Sequence, residues 1–186
     1  IVVPLYNNIV YTKEFVHSVT ANTSLRYEII FIDNASTDET KDYLNSILIS
    51  NQNVKVIFNE KNLGFPGAVN QGIQSAKGKY ILIANNDIVV TEGWLERLIE
   101  VADSDKRIGV VGPTSNEVSG VQKDKEANYK TIDEMHLYAA TIREKNKNKV
   151  LQFPRIAFLC TLIKREVIEK IGGLDERFSP GNFEDD

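Results

Sequence analysis

A single cysteine in 186 residues leaves nothing for an intrachain disulfide to staple. Stability must come from packing, and a chain of this length can bury a sizeable core within one domain. One thiol fits a reducing compartment. The flanks of Cys160, "AFLCTLI", are apolar, so it reads as a packed side chain and not as a nucleophile. Excess positive charge is lacking too: 22 Lys and Arg stand against 26 Asp and Glu, a formal net charge of −4. That balance excludes the basic footprint of a nucleic-acid binder. No apolar run approaches the roughly 18 residues of a membrane span, and no signal peptide is visible. Several motifs are missing. Neither G-x-x-x-x-G-K-[ST] nor G-x-G-x-x-G occurs, which disfavours P-loop enzymes and Rossmann dehydrogenases. No G-x-S-x-G elbow supports a serine hydrolase. No Cys/His cluster suggests zinc, and His17 and His136 fall in helical patterns as surface or packing residues.

What is present is an ordinary soluble globular balance, 42% hydrophobic and 26% charged. The first half alternates strand and helix patterns. Residues 1–5, 27–33, 54–59 and 79–85 read as strands. Between and after them, residues 7–23, 34–50, 64–78 and 91–105 carry helical periodicity, with Val10, Tyr11, Phe15, Val16 and Val19 as the first helix's apolar stripe. Ser36 and Thr37 are placed to cap the second helix. This alternation predicts βαβ units: an α/β fold with a mainly parallel sheet and helices on both faces. The second half is less regular. A strand is expected over 107–115, a polar surface excursion after it, and an exposed amphipathic helix over 131–150. Residues 151–173 should hold one or two strands and a short helix stopped by Gly172-Gly173. The chain opens without Met inside a strand pattern and closes on acids. It reads as one domain, residues 1–186, cut from a longer protein at both ends.

Four polar stations follow the first four strand patterns: "PLYNN", "DNASTDET", "NEKNLGFPGAVNQG" and "ANND". Each alone is explained by a turn, a helix cap or a tight glycine. In a parallel sheet, however, all carboxyl ends lie on one side, where α/β proteins bind ligands. Four stations in order at one edge point to a site.

The blocks "VVPLYNN", "IIFIDNASTDET", "NEKNLGFPGAVNQGI", "YILIANNDIVV" and "IGGLDERFSPGNFEDD" resemble family 2 glycosyltransferases, in the family's order and over nearly the whole chain. The resemblance implies the GT-A fold, a nucleotide-diphosphate sugar donor, Mg²⁺ or Mn²⁺, inversion at the anomeric carbon, and a single catalytic domain over 1–186 with a nucleotide-binding half (1–115) and an incomplete acceptor-side half (116–186). The amide-containing "ANND" is similar to that of bacterial rhamnosyl- and cell-surface polysaccharide transferases. On the donor side the resemblance implies Pro4, Leu5 and Tyr6 packing on the base and Asp33 accepting from a base N–H. It also implies close backbone approach at Asn62, Gly64 and Gly67, with Asn70 facing the nucleotide. Val69 departs from the arginine of many relatives. "ANND" occupies the place of the family's Asp-x-Asp signature, with Asp87 as metal ligand and Asn85 and Asn86 beside the donor. Hard cations take oxygen ligands, and Mg²⁺ often uses one or two carboxylates plus substrate phosphates. At the C-terminus the resemblance implies Asp185 as general base, with Glu184 and Asn182 on the acceptor side. The acceptor would be a glycan, lipid-linked or protein hydroxyl, with no nucleic acid and no transmembrane segment. The setting would be cytoplasmic, with any membrane association through parts outside this chain. A degenerate sugar-nucleotide or glycan-binding module stays open because Asn85 replaces an acid. A sugar nucleotidyltransferase is disfavoured, since "YNNIVYTK" after the first strand lacks the Gly-rich, basic loop of that class.

Overall fold

The computed structural model describes residues 1–147 and 149–179. Strands β1 (Val2–Leu5), β2 (Ile29–Asp33), β3 (Val54–Phe58) and β4 (Tyr80–Ala84) alternate with helices α1 (Ile9–Asn22), α2 (Thr40–Ser50), α3 (Gly64–Ser75) and α4 (Trp94–Ser104). Then come β5 (Val110–Val111), α5 (Ile132–Asn146), β6 (Cys160–Lys164) and α6 (Arg165–Ile171). They form a six-stranded sheet in the order β3-β2-β1-β4-β6-β5. The first four strands are parallel, while β6 runs antiparallel to both β4 and β5.

Strands β1, β2 and β4 are continuous apolar runs because both faces of the sheet are covered there, whereas β3, at the edge, is half-buried and carries Lys55, paired with Glu28 at 2.6 Å. Val3, Leu5, Ile29, Phe31, Leu82 and Ala84 point to one face, against Phe15 and Val19 of α1, Leu44 of α2, and Leu95 and Leu98 of α4. The alternate residues Val2, Ile30, Ile32 and Ile81 meet Ala68 of α3, and Ile168 of α6 joins them. Helices therefore lie on both faces, as the alternating pattern predicts.

Two local expectations are corrected. The strand expected over 107–115 shrinks to two residues. It lies at the sheet edge, and Gly112-Pro113 ends the ladder because proline has no N–H to donate. In α1, Val10 and Tyr11 are exposed. Phe15 and Val19 are buried as expected, and Thr12 and Ser18 complete the buried face. Two polar residues can sit there because each has a partner: Ser18 Oγ accepts from the Val90 N–H at 3.2 Å, and Thr12 Oγ1 accepts from Asn86 Nδ2 at 3.0 Å. Residues 151–173 hold one strand, β6, and then α6. Helix α5 is exposed as expected, with Met135 its buried residue and Thr131 capping the Glu134 N–H at 3.2 Å.

Cys160 is buried, and burial pushes its thiol up to about 12, as a packed side chain requires. A thiol-exchange reagent at pH 8 is therefore expected to find no reactive thiol in the native protein and one after denaturation. Native reactivity would contradict this packing.

At Gly72, α3 packs tightly on the sheet: an added Cβ would lie 2.3 Å from Val2 Cγ1 and 2.8 Å from Ile32 Cδ1. Both side chains are buried in the central strands and cannot retreat. Gly72→Ala is expected to destabilise by about 1–3 kcal/mol through overpacking. That loss should appear although alanine gains ~1 kcal/mol over glycine in a helix interior. Denaturant unfolding measures the change, and an unchanged or raised midpoint would refute the packing argument.

Candidate functional site

Strand register places the stations. Leu5 pairs with Asp33, Asp33 with Phe58, and Val2 with Ile83, so the carboxyl ends of β3, β2, β1 and β4 share one edge. Asp33 ends β2, and the Asn86-Asp87 turn follows β4, on either side of β1.

The chain leaves this edge in unusual backbone conformations. Asn7, Asn8 and Ala35 adopt φ of 59°, 63° and 67°. Left-handed conformations cost non-glycine residues about 1–3 kcal/mol each and persist only where surroundings over-determine them. Here the surroundings are cross-ties between the loops after β1 and β2. The Asn7 N–H donates to Ser36 Oγ at 2.7 Å, while Asn7 Oδ1 accepts from the Thr37 N–H at 2.7 Å. The Ser36 N–H donates to Asp33 Oδ1 at 3.0 Å. Asp38 takes the Ile9 N–H at 3.2 Å and the Thr40 N–H at 3.1 Å, so one carboxylate serves the starts of α1 and α2. Partial burial works against its ionisation, but hydrogen bonds from Thr40 and Ile9 outweigh it and hold its pKa below the usual value. Asp38 thus does what was expected of Ser36 and Thr37, whose groups are committed to Asn7 instead.

The third station is shaped by amides. Asn34 is buried, and its Oδ1 accepts from Asn59 Nδ2 at 2.9 Å and from the Leu63 N–H at 3.3 Å. Its Nδ2 donates to the Gly64 carbonyl at 3.1 Å. Asn59 and Gln71 exchange two hydrogen bonds, at 2.8 and 3.0 Å. Asn62 Oδ1 accepts from the Gly64 N–H at 2.8 Å, and Gly64 opens α3 at φ 74°. Sequence reasoning singled out neither Asn34, Asn59 nor Gln71. The available signal was an asparagine just beyond the ends of both β2 and β3.

The expected donor residues divide by exposure. Tyr6 is 48% exposed and offers aromatic surface at the edge, whereas Pro4 and Leu5 are buried in β1. Asp33 is buried beneath the turn it holds, and Gly67 is buried in the first turns of α3. Val69 is fully buried against Ile83 and Ile163, so this position points into the core. Asn70 turns to a different partner: its amide bonds Leu174 and Glu176.

At the fourth station the Asn85 N–H donates to the Leu159 carbonyl at 3.0 Å and Asn86 holds Thr12. Asp87 is exposed, and its carboxylate takes no hydrogen bond from the described residues. No group of three or more His, Cys, Asp or Glu lies together among the described residues. One free carboxylate fits a hard cation that fills its remaining positions with phosphate oxygens and water. Asn182, Glu184 and Asp185 lie outside the described residues.

Comparison with known proteins bears on the fold and the family. The chain is 35% identical over 112 residues to glycosyltransferase GlyG of Streptococcus pneumoniae, covering 59% of this chain and 37% of that protein. It is 30% identical over 100 residues to the putative teichuronic acid biosynthesis glycosyltransferase TuaG of Bacillus subtilis, covering 54% and 40%. A mannosyltransferase from Pyrobaculum calidifontis, solved with GDP-Man and Mn²⁺, superposes with TM-score 0.69 at 18% identity, over 94% of this chain and 46% of that one. The chain thus spans about two fifths to one half of these proteins. The structural likeness establishes the GT-A fold. The sequence profile described as Glycosyl transferase family 2 matches residues 1–172, and with it the chain belongs to that family.

Proposed function

We propose that this chain is the donor-binding and catalytic part of an inverting glycosyltransferase, with residues 1–115 receiving a nucleotide-diphosphate sugar and residues 116–186 serving the acceptor. The observation that carries this reading is the shared edge: Asp33 and the free carboxylate of Asp87 flank the end of β1. Tyr6 offers a face for the base. The second oxygen of Asp33 is the candidate acceptor for a base N–H, since its Oδ1 already holds Ser36. Asp87 would hold Mg²⁺ or Mn²⁺ together with diphosphate oxygens. The cation, when bound, stabilises the negative charge that develops on the leaving diphosphate. Asn85 and Asn86 contribute no charge, so the diphosphate itself completes the cation's surroundings.

Asp185 is the candidate base. In the transfer, the acceptor oxygen attacks C1 of the sugar and its proton passes to the Asp185 carboxylate. The C1–O bond to the diphosphate breaks, and the diphosphate leaves with the electron pair. Attack opposite the leaving group inverts the anomeric centre. Asp87 is unsuited to this task because it lies with the leaving group. Cell-surface polysaccharide synthesis is the proposed setting, supported by the similarity to TuaG. No helix among the described residues is long and apolar enough to cross a membrane.

Two measurements test the reading. Calorimetry should show a nucleoside diphosphate binding about tenfold or more tightly with Mn²⁺ than with chelator, equivalent to about 1.4 kcal/mol. Asp87→Ala should remove that dependence. Equal affinity in both conditions for the parent would refute the metal role.

The second test concerns Asp185 in the full-length protein. Asp185→Asn should leave donor affinity nearly unchanged and slow transfer by about 10²–10⁴-fold, the range for general-base catalysis. Glu184→Gln should do less. Near-parental transfer by Asp185→Asn at saturating acceptor would reject the assignment.

A further inference from the structure

We propose that Asn70 is a positioning residue, which sets the acceptor-side segment on the donor-side helix and makes no contact with the donor. The proposal rests on the reading of the site given above. Asn70 lies one turn beyond the Gly64–Gly67 start of α3. Its carboxamide grips the backbone of Leu174 from both sides. Asn70 Oδ1 accepts the Leu174 N–H at 2.8 Å, and Nδ2 donates to the Leu174 carbonyl at 2.9 Å. Nδ2 donates again to Glu176 Oε1 at 2.9 Å. An asparagine amide has two N–H donors, and both are used within the chain. Neither is left for a phosphate or a ribose hydroxyl.

The neighbouring residues are built around this grip. A Cβ on Gly173 would lie 2.2 Å from Asn70 Oδ1 and 3.0 Å from its Cγ. The adjacent Gly172 is needed for another reason: it turns the chain at φ 90°, and its Cβ position faces open space. One glycine makes the turn, and the other makes room for the amide. Leu174 then packs into the cluster of Val69, Ile83 and Ile163, so the clamp orients a side chain that the core also holds. Farther on, Ser179 Oγ reaches the Leu63 carbonyl at 3.5 Å. Residues 173–179 therefore run back along α3, from its middle to the loop that opens it. Asp185 is the sixth residue after Ser179. A six-residue chain spans at most about 20 Å. Chain connectivity thus keeps the candidate base within that distance of Ser179, the end of the segment that the clamp sets on α3.

A carboxylate in place of the amide would keep the acceptor for Leu174 but lose both donors and face Glu176 with like charge. An alanine would lose all three bonds. Misplacing a reacting group by about 1 Å can cost on the order of 10²-fold in rate. In the full-length protein, Asn70→Ala, Asn70→Asp and Gly173→Ala should each slow transfer at saturating substrates by about 10- to 100-fold. Nucleoside diphosphate affinity with Mn²⁺ should stay within about twofold of the parent, a split that general loosening of the fold would not produce. The Asn70→Ala/Gly173→Ala pair should be little slower than either single variant, because both break one contact. If Asn70→Ala does not fold, Gly173→Ala and Asn70→Asp carry the same comparison. Parental transfer rates in these variants would overturn the proposal while leaving the donor site intact. So would a loss of nucleotide affinity equal to the loss of rate. A parent that binds no nucleoside diphosphate with Mn²⁺ would instead overturn the donor-site reading on which the proposal stands.

Discussion

Three parallel strands buried on both faces, β1, β2 and β4, leave the middle of the sheet one place for polar chemistry: the strand ends. A charged side chain in mid-strand would sit in the core without water, at a cost of several kcal/mol unless paired. At the carboxyl edge the same side chain meets loops, backbone N–H groups and solvent. Helices α1 to α4 follow from this arrangement, since each returns the chain to the opposite edge and keeps the stations together. The residues with unusual backbone, Asn7, Asn8 and Ala35, lie just beyond strand ends on this edge. Their strain is held by cross-ties among Asn7, Ser36, Thr37 and Asp38, so the loops after β1 and β2 behave as one unit.

The other half of the sheet is completed from the far end of the sequence. Strand β6 enters between β4 and β5 and runs against both. Ala84, the last residue of β4, pairs with Cys160, the first of β6, so the approach to the "ANND" turn is braced by a segment about 75 residues downstream. The Asn85 N–H continues that pairing to Leu159. The edge thus draws on both ends of the chain, with β6 beside Asn85 and the 173–179 segment along α3.

Much of this was legible in the sequence where local pattern and position coincide. β1 to β4 show as apolar runs, each followed by a polar cluster, and register alone then brings Asp33 and Asp87 to one edge. Direction was not legible. The five residues of β6 are as buried as those of β2, and nothing in their hydrophobicity separates an antiparallel strand from a parallel one. The face of α1 was misread because Thr12 and Ser18 are buried polar residues, and partners in the loop after β4 make them tolerable. Asn70 was hardest: its partners are 104 and 106 residues away, and no spacing rule connects them. The motif marked it as a residue of interest, but only the folded chain shows what it holds.

The mesh of Asn34, Asn59, Asn62 and Gln71 around the start of α3 has a consequence for how this protein responds to its medium. Carboxamides neither gain nor lose a proton across the biological range. A loop framed by them keeps its shape from mildly acidic to alkaline solution, and dissolved salt does little to weaken bonds between neutral partners. These four side chains also present no fixed charge of their own to compete with a diphosphate for a cation. Whatever acidity or ionic strength does to turnover can then be traced to the substrates and to carboxylates such as Asp33 and Asp38, which hold the neighbouring loops, with the shape of this loop held constant.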